Sequence, residues 1–248
     1  MNNSDKIFAS PLNRVEDFSF DEAVADVFPD MITRSVPGYQ TIVNTIGEIA
    51  ARQVKPHTRV YDLGCSLGAA SFAVSRATSG TPCDIIGIDS SQAMVGRCQR
   101  MVQGFSLPNP ISVSCQKAQD VDISNASLVI MNFTLQFIPP PDRDAMLQKI
   151  YDGLCPGGAL VLSEKISHPS QAGNELLVDL HHQFKRSNGY SELEISQKRA
   201  ALENVMLTDS FDTHESRLKE AGFDDVVLWF KCYNFASMIA IKSAQQET

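Results

Sequence analysis

Asp62 ends an apolar run and stands two residues before Gly64, inside the segment VYDLGCSLG that spans Val60 to Gly68. A strand running into an acidic residue, then a glycine-spaced turn, then a helix is how open α/β sheets build a ligand site outside their strand ends. Gly64 lets backbone and ligand approach closely, and Gly68 lets the helix pack tightly on the sheet. Asp89 ends the next apolar run, 21 residues after Gly68, where one carboxylate can accept both hydroxyls of a ribose. Together these features predict a nucleoside site. Asp62 restricts which nucleoside it is. Helix N-terminal amides cradle a pyrophosphate, and a carboxylate just before that turn repels one. A nucleoside with a cationic tail fits, and a dinucleotide is the weaker candidate.

Those side chains need a frame to hold them. From residue 58 onward short β-branched runs, at 59–64, 84–89, 111–115, 127–133 and 159–165, alternate with helical patterns near 68–78, 91–104 and 140–153. Their apolar continuity suits strands buried on both faces, and their spacing suits right-handed βαβ crossovers. After Lys165 come helical stretches at 172–186 and 191–206, a helix near 212–221, and strands at 225–232 and 235–242. The last two are linked only by Tyr233-Asn234, which requires antiparallel pairing. Ahead of the first strand, Ser19 and Glu22 predict a capping box for a helix that Pro29 ends. Ser35-Val36-Pro37-Gly38 then opens an amphipathic helix through Ile42, Ile46 and Ile49. The expected architecture is α/β: a Rossmann-like, doubly wound, mostly parallel sheet with a C-terminal antiparallel hairpin, N-terminal helices and a helical insertion after strand five. Residues 1–248 are expected to form one domain, with a helical cover at 1–57, a core at 58–165 and 212–242, and the insertion at 166–211.

Composition excludes other classes. The chain has 248 residues, 43% of them apolar and 20% charged, which is globular rather than disordered. The longest apolar run is Val226 to Phe230, far from the ~20 residues that span a bilayer, so no membrane association is expected. MNNSDKIFAS lacks an apolar signal core, so a cytoplasmic rather than exported protein is expected. A net charge of −8 repels phosphate backbones, which argues against direct nucleic-acid binding. Six cysteines without a C-x-x-C pair, and adjacent His181 and His182 that cannot share one helical face, predict neither a disulfide framework nor a metal site.

S-adenosyl-methionine has no phosphate and carries an ammonium and a sulfonium, which Asp62 suits. Residues 58–165 with the terminal hairpin, including LCPGGALVL from Leu154 to Leu162, resemble the class I S-adenosyl-methionine-dependent methyltransferases. That resemblance implies Asp62 and Gly64 near the methionine amine, Asp89 on the ribose and Asn132 beside the methionine end, with Cys65, Ser66 and Ser90 as further contacts. Ser66 stands where many relatives have glycine, and a ligand without phosphate demands less close approach there.

Over nearly the whole chain the likeness narrows. FDEAVADVFPDMITRSVPGYQ, VYDLGCSLGAAS, NFTLQF and FKRSNGYSELEISQKRAALENVMLTDS are similar to the carboxy-S-adenosyl-methionine synthases, bacterial enzymes that modify the cofactor itself. The SNGYSELEISQKR stretch lies in the insertion, outside the generic fold, which makes it the more specific signal. The family implies a metal-free homodimer that takes S-adenosyl-methionine and prephenate to carboxy-S-adenosyl-methionine and phenylpyruvate. Its product serves a tRNA uridine carboxymethyltransferase acting on hydroxylated wobble uridine. The resemblance also makes Tyr39 a ligand contact, and Arg199 a clamp on the ligand's carboxylate from the neighbouring subunit. Relatives usually place an acidic residue after strand three to accept the adenine amino group, but here the run is Cys115-Gln116-Lys117-Ala118. Lysine has no acceptor, so Lys117 and Ala118 are contacts by position, with Gln116 or Gln119 as substitute acceptor.

Ser191 and Glu194 predict a capping box for an insertion helix running past Met206. Ile195, Arg199, Leu202 and Met206 fall on one face of it, whereas Lys198, four residues after Glu194, is expected on an exposed one. Two alternatives share the core motifs: a methyltransferase acting on a small molecule or RNA, and a binding module without catalysis.

Overall fold

Residues 4–244 are described by a computed structural model. Strand β1 (Thr58–Leu63) is buried along almost its whole length because strands lie on both sides of it and helices cover both faces. It pairs in parallel with β2 (Cys83–Asp89) and β4 (Ala126–Asn132), which pair in parallel with β3 (Ile111–Cys115) and β5 (Leu154–Lys165). The hairpin of β6 (Asp225–Cys232) and β7 (Phe235–Ile241) closes the sheet, with β7 antiparallel to both neighbours. The order β3-β2-β1-β4-β5-β7-β6 is the expected doubly wound, mostly parallel sheet. The strand order reverses at β1, and the crevice this opens lies at the strand C-termini.

Two apolar layers follow from the alternation of strand side chains. Val60, Leu128, Ile130 and Val161 pack with Ile42 and Ile46 of α2 (Tyr39–Gln53) and Ala70 and Val74 of α3 (Ala69–Ala77). Tyr61, Val129, Met131 and Leu160 pack with Met146 and Leu147 of α5 (Pro140–Gly153) and Leu218 of α8 (Phe211–Glu220). Helix α4 (Gln92–Gln103) packs its Ala93 and Met94 on Val24 and Met31 of α1 (Glu22–Ser35). After β5 the chain forms α6 (Gln171–Ser187) and α7 (Glu192–Leu202) before α8.

Three local expectations are corrected. Asp21, not Ser19, caps α1, its carboxylate accepting the Val24 amide at 2.9 Å. Pro29 lies inside α1 rather than ending it. Proline costs an interior helix about 3 kcal/mol, but Val24, Ala25, Val27 and Met31 are buried on both sides of it, and tertiary packing outweighs the break. Helix α7 has the expected Ser191–Glu194 box but stops at Leu202; the chain leaves it through a turn, the Met206 amide donating to the Leu202 carbonyl at 2.9 Å, and the Leu207 amide then donates to the Gln136 carbonyl at 2.9 Å. No helix among the described residues is long and apolar enough to cross a membrane, and the six cysteines are free thiols.

Candidate active site

A cavity of about 510 Å³ opens at the C-terminal ends of β1, β2, β4 and β5. The turn after β1 is pinned to β2, since the Gly64 and Cys65 amides donate to the Ile88 carbonyl at 2.7 and 2.9 Å. Gly64 has φ +82°, and a Cβ there would meet Thr134 Oγ1 at 2.2 Å, so only glycine fits. Ser66 takes φ +50°, which explains glycine in relatives: the position needs a left-handed backbone, and serine accepts a cost of about 1 kcal/mol to adopt it. Phe133, at φ +63° just past β4, is a second non-glycine residue held in that region beside the cavity.

Asp89 joins this turn to the next. One carboxylate oxygen accepts the Ser66 amide and the other the Ser91 amide, both at 2.8 Å, leaving further lone pairs for a ligand. Burial raises its proton affinity, opposed by those amides. Asp62 is buried and accepts both the amide (3.1 Å) and hydroxyl (2.6 Å) of Ser71. Burial pushes it up to about 6, the Ser71 hydrogen bonds pull it back, and the Asp89 charge adds a smaller upward push. A cationic group reaching Asp62 would favour its ionised form. Burial, then the charge of Asp62, likewise raises the Tyr39 phenol. Asn132 Oδ1 is buried with no hydrogen-bond partner among the described residues, an acceptor that a ligand amine can satisfy.

Ten of the eleven residues singled out from sequence line this cavity: Tyr39, Asp62, Gly64, Cys65, Ser66, Asp89, Ser90, Lys117, Ala118 and Asn132. Lys117 is exposed and precedes a short 3-10 turn, Ala118–Asp120, whose Ala118 is buried; Gln119 lines the cavity and Gln116 does not. Arg199 is exposed and absent from the lining. Lys198 has the inner place instead, correcting its expected exposure: it is buried, 3.0 Å from Ser35 Oγ and 3.5 Å from the Asp5 carboxylate. Glu194, its supposed partner, is occupied by Ser191.

Several residues had no local signal. Phe18 and Phe20 of the N-terminal segment and Phe28 of α1 wall the cavity, with Phe20 edge-on to Phe137 at 5.4 Å. That segment is strapped to α7, where Gln197 accepts the Leu12 amide at 2.7 Å and donates to the Phe8 and Ser10 carbonyls. Buried Glu164 accepts the Leu135 and Gln136 amides, each at 2.9 Å, and so holds the NFTLQF loop against β5. Burial drives it up to about 8 despite those amides and Arg143. Lys165, Lys185 and Lys198 bring positive charge from β5, α6 and α7 to a cavity whose β1 and β2 ends are acidic. Lys165, ending a strand at the crevice, was the one legible by position. Among the described residues no group of three His, Cys, Asp or Glu could hold a metal ion.

The sheet order and this crevice are those of the class I S-adenosyl-methionine-dependent methyltransferase fold. Residues 60–158 match the family model of a methyltransferase domain. An O-methyltransferase family protein from Burkholderia thailandensis superposes with TM-score 0.65 at 13% identity, over 91% of this chain and 60% of that one. Human N-acetylserotonin methyltransferase, in complex with SAM, gives 0.61 at 17%, over 90% and 56%. A carboxy-S-adenosyl-L-methionine synthase of Alteromonas mediterranea is 69% identical over 243 residues, covering 98% of this chain and 100% of its own. One from Klebsiella pneumoniae (strain 342) is 57% identical over 246 residues, covering 99% and 100%. The chain belongs to the carboxy-S-adenosyl-L-methionine synthase family, and it is an enzyme of the transferase class.

Proposed function

We propose that the cavity binds S-adenosyl-methionine as a substrate and carboxylates its sulfonium methyl, with prephenate as donor. The observation that carries this is one cavity with two opposite chemistries: an acidic nucleoside cradle at Asp62 and Asp89, and a cationic wall at Lys165, Lys185 and Lys198. A methyltransferase needs the first; a donor with two carboxylates needs the second. The residues present fit the substrate. Asp89 has lone pairs for the ribose, and Asp62 and the unpartnered Asn132 oxygen can receive the ammonium.

The balance of the reaction is simple. Prephenate loses one carboxyl as carbon dioxide and its ring hydroxyl as hydroxide while the ring becomes aromatic. The methyl proton leaves with that hydroxide as water, and the methyl carbon bonds to carbon dioxide. Bulk water would protonate the carbanion and let the carbon dioxide escape, so the site must close. The aromatic wall of Phe18, Phe20 and Phe28, tied to α7 through Gln197, suits that closure.

We further infer a homodimer in which Arg199 grips the new carboxylate of the neighbouring subunit's ligand. Exposed Leu193 lies on α7 with exposed Arg199, and exposed Leu176 and Leu180 lie on the preceding α6, which supports a covering partner there. The product would pass to an enzyme that modifies wobble uridine in tRNA; a charge of −8 suits a protein that does not itself bind the RNA. Free thiols at Cys65 and Cys98 inside the fold suit a reducing cytoplasm. Mass spectrometry of the nucleoside after incubation with S-adenosyl-methionine and prephenate tests the reaction. A mass gain of one carboxyl group is expected, and unaltered S-adenosyl-methionine would refute it.

A further inference from the structure

Lys185 is 6% exposed, lines the cavity, and among the described residues has no carboxylate within ion-pair distance. Lys165, at the end of β5, is likewise without one. An ammonium withdrawn from water without a counter-ion is costly, so a protein that keeps a buried Lys185 and a half-buried Lys165 facing one cavity has a use for them. The groups that act most strongly on Lys185 come from four elements. Lys165 comes from β5, His181 and His182 from its own helix, Lys198 and Arg199 from α7, and Asp5 from the N-terminal segment. Asp5 is the single carboxylate among them. It is engaged by Lys198 and by the Tyr190 hydroxyl, and Arg34 stacks on that ring at 3.9 Å. His181 contributes no charge: its Nε2–H donates to the Ser35 carbonyl at 2.8 Å, and burial holds it neutral. Burial and the charges of Lys198, Lys165 and Arg199 push Lys185 down to about 7, so an incoming anion would be met by a lysine ready to take full charge.

The apolar side of the same region is equally defined. Phe235 is buried and edge-on to His181 at 4.8 Å and to Phe133 at 6.0 Å, and all three line the cavity. A carboxylate about to leave as neutral carbon dioxide is hindered by a salt bridge, which stabilises the starting ion more than the transition state. An apolar wall assists it for the same reason. We propose that Lys165, Lys185 and Lys198 form the donor's anchoring subsite, holding the carboxylate that is retained, and that Phe133 and Phe235 face the one that departs. This rests on the proposed carboxyl donor and names the residues that select it: an α-keto acid with a second, removable carboxyl group.

The test uses phenylpyruvate, which keeps the retained carboxylate and lacks the other, so binding is read without turnover. Calorimetry on the protein saturated with S-adenosyl-homocysteine should show phenylpyruvate binding in the wild type. Lys185→Met and Lys165→Met should each weaken it about tenfold or more, with S-adenosyl-homocysteine affinity held within about twofold. The KM for prephenate should rise in parallel, and Lys185→Met, having lost an unpaired buried charge, should melt no lower than the wild type. No phenylpyruvate binding to the wild type, or binding indifferent to both substitutions, overturns the proposal. A Lys185→Met or Lys165→Met protein that loses both ligands together also overturns it, because that lysine is then structural. A wild type that binds phenylpyruvate yet makes no carboxylated nucleoside refutes the proposed reaction and leaves the carboxylate subsite standing.

Discussion

Replacing Asp89 by asparagine separates the carboxylate's two duties. Both oxygens already accept amides, from Ser66 and Ser91, so the side chain positions the turn as well as meeting the ribose. Asparagine is nearly isosteric but presents one acceptor and one NH2, so whichever way it turns, one former donor faces another donor. A charge-assisted hydrogen bond contributes about 1.5–3 kcal/mol, and Asp89 is only partly buried, so the lower half of that range applies. At about 1.4 kcal/mol per decade, affinity for S-adenosyl-homocysteine should fall roughly ten- to fortyfold. The amide that loses its partner should cost the unliganded protein about 1 kcal/mol, or roughly 2–4 °C in Tm. Titration calorimetry and a thermal melt on the same preparation read both effects. A lowered Tm with unchanged ligand affinity would refute the ribose contact and leave Asp89 a purely structural residue.

Asp62 ties ligand affinity to pH. Its folded-state value of about 6 lies above the ordinary 3.8, so its contribution to unliganded stability is fully present below about pH 4 and is lost as pH rises through 6. The gap corresponds to about 3 kcal/mol at most. Ligand affinity runs oppositely, because the ammonium needs the ionised carboxylate: S-adenosyl-homocysteine binding should weaken below pH 6, and Asp62→Asn should flatten that step. Equal pH profiles in the two proteins would contradict the assignment. Lys117→Asp restores an acceptor for the adenine amino group and should tighten S-adenosyl-homocysteine about fivefold, roughly 1 kcal/mol; weaker binding would show that adenine lies elsewhere. Arg199→Ala should cost about tenfold or more in affinity for the carboxylated product and far less for S-adenosyl-methionine, with Arg199→Lys recovering only part, since a point charge cannot reproduce the planar fork. Equal losses for both ligands would make Arg199 structural.

What the chain spells out locally was legible without coordinates. The strand–turn–helix at Val60–Gly68, the carboxylate ending β2 and the two-residue link before β7 are governed by steric rules acting within a few residues, enough for a mostly parallel sheet with an antiparallel end but not for the strand order, which the packed structure set. Ten of the eleven chosen residues share one cavity because strand C-termini in such a sheet must converge. Tertiary structure decided the rest, wherever distant segments compete with a local preference. Pro29 stays helical because burial on both sides outweighs its missing amide. Ser66 owes its constraint to a left-handed φ that no composition reveals. Helical periodicity turned Arg199 inward and Lys198 outward, the reverse of what is found, because the two are neighbours only about 100° apart on a helix and a small rotation exchanges them. Asp5, some 190 positions earlier, and Ser35 on α1 take Lys198 inward and leave Arg199 to the surface. The cationic wall was invisible for the same reason: Lys165, Lys185 and Lys198 lie on three elements, and their energies depend on burial and mutual repulsion, which exist only once those elements pack.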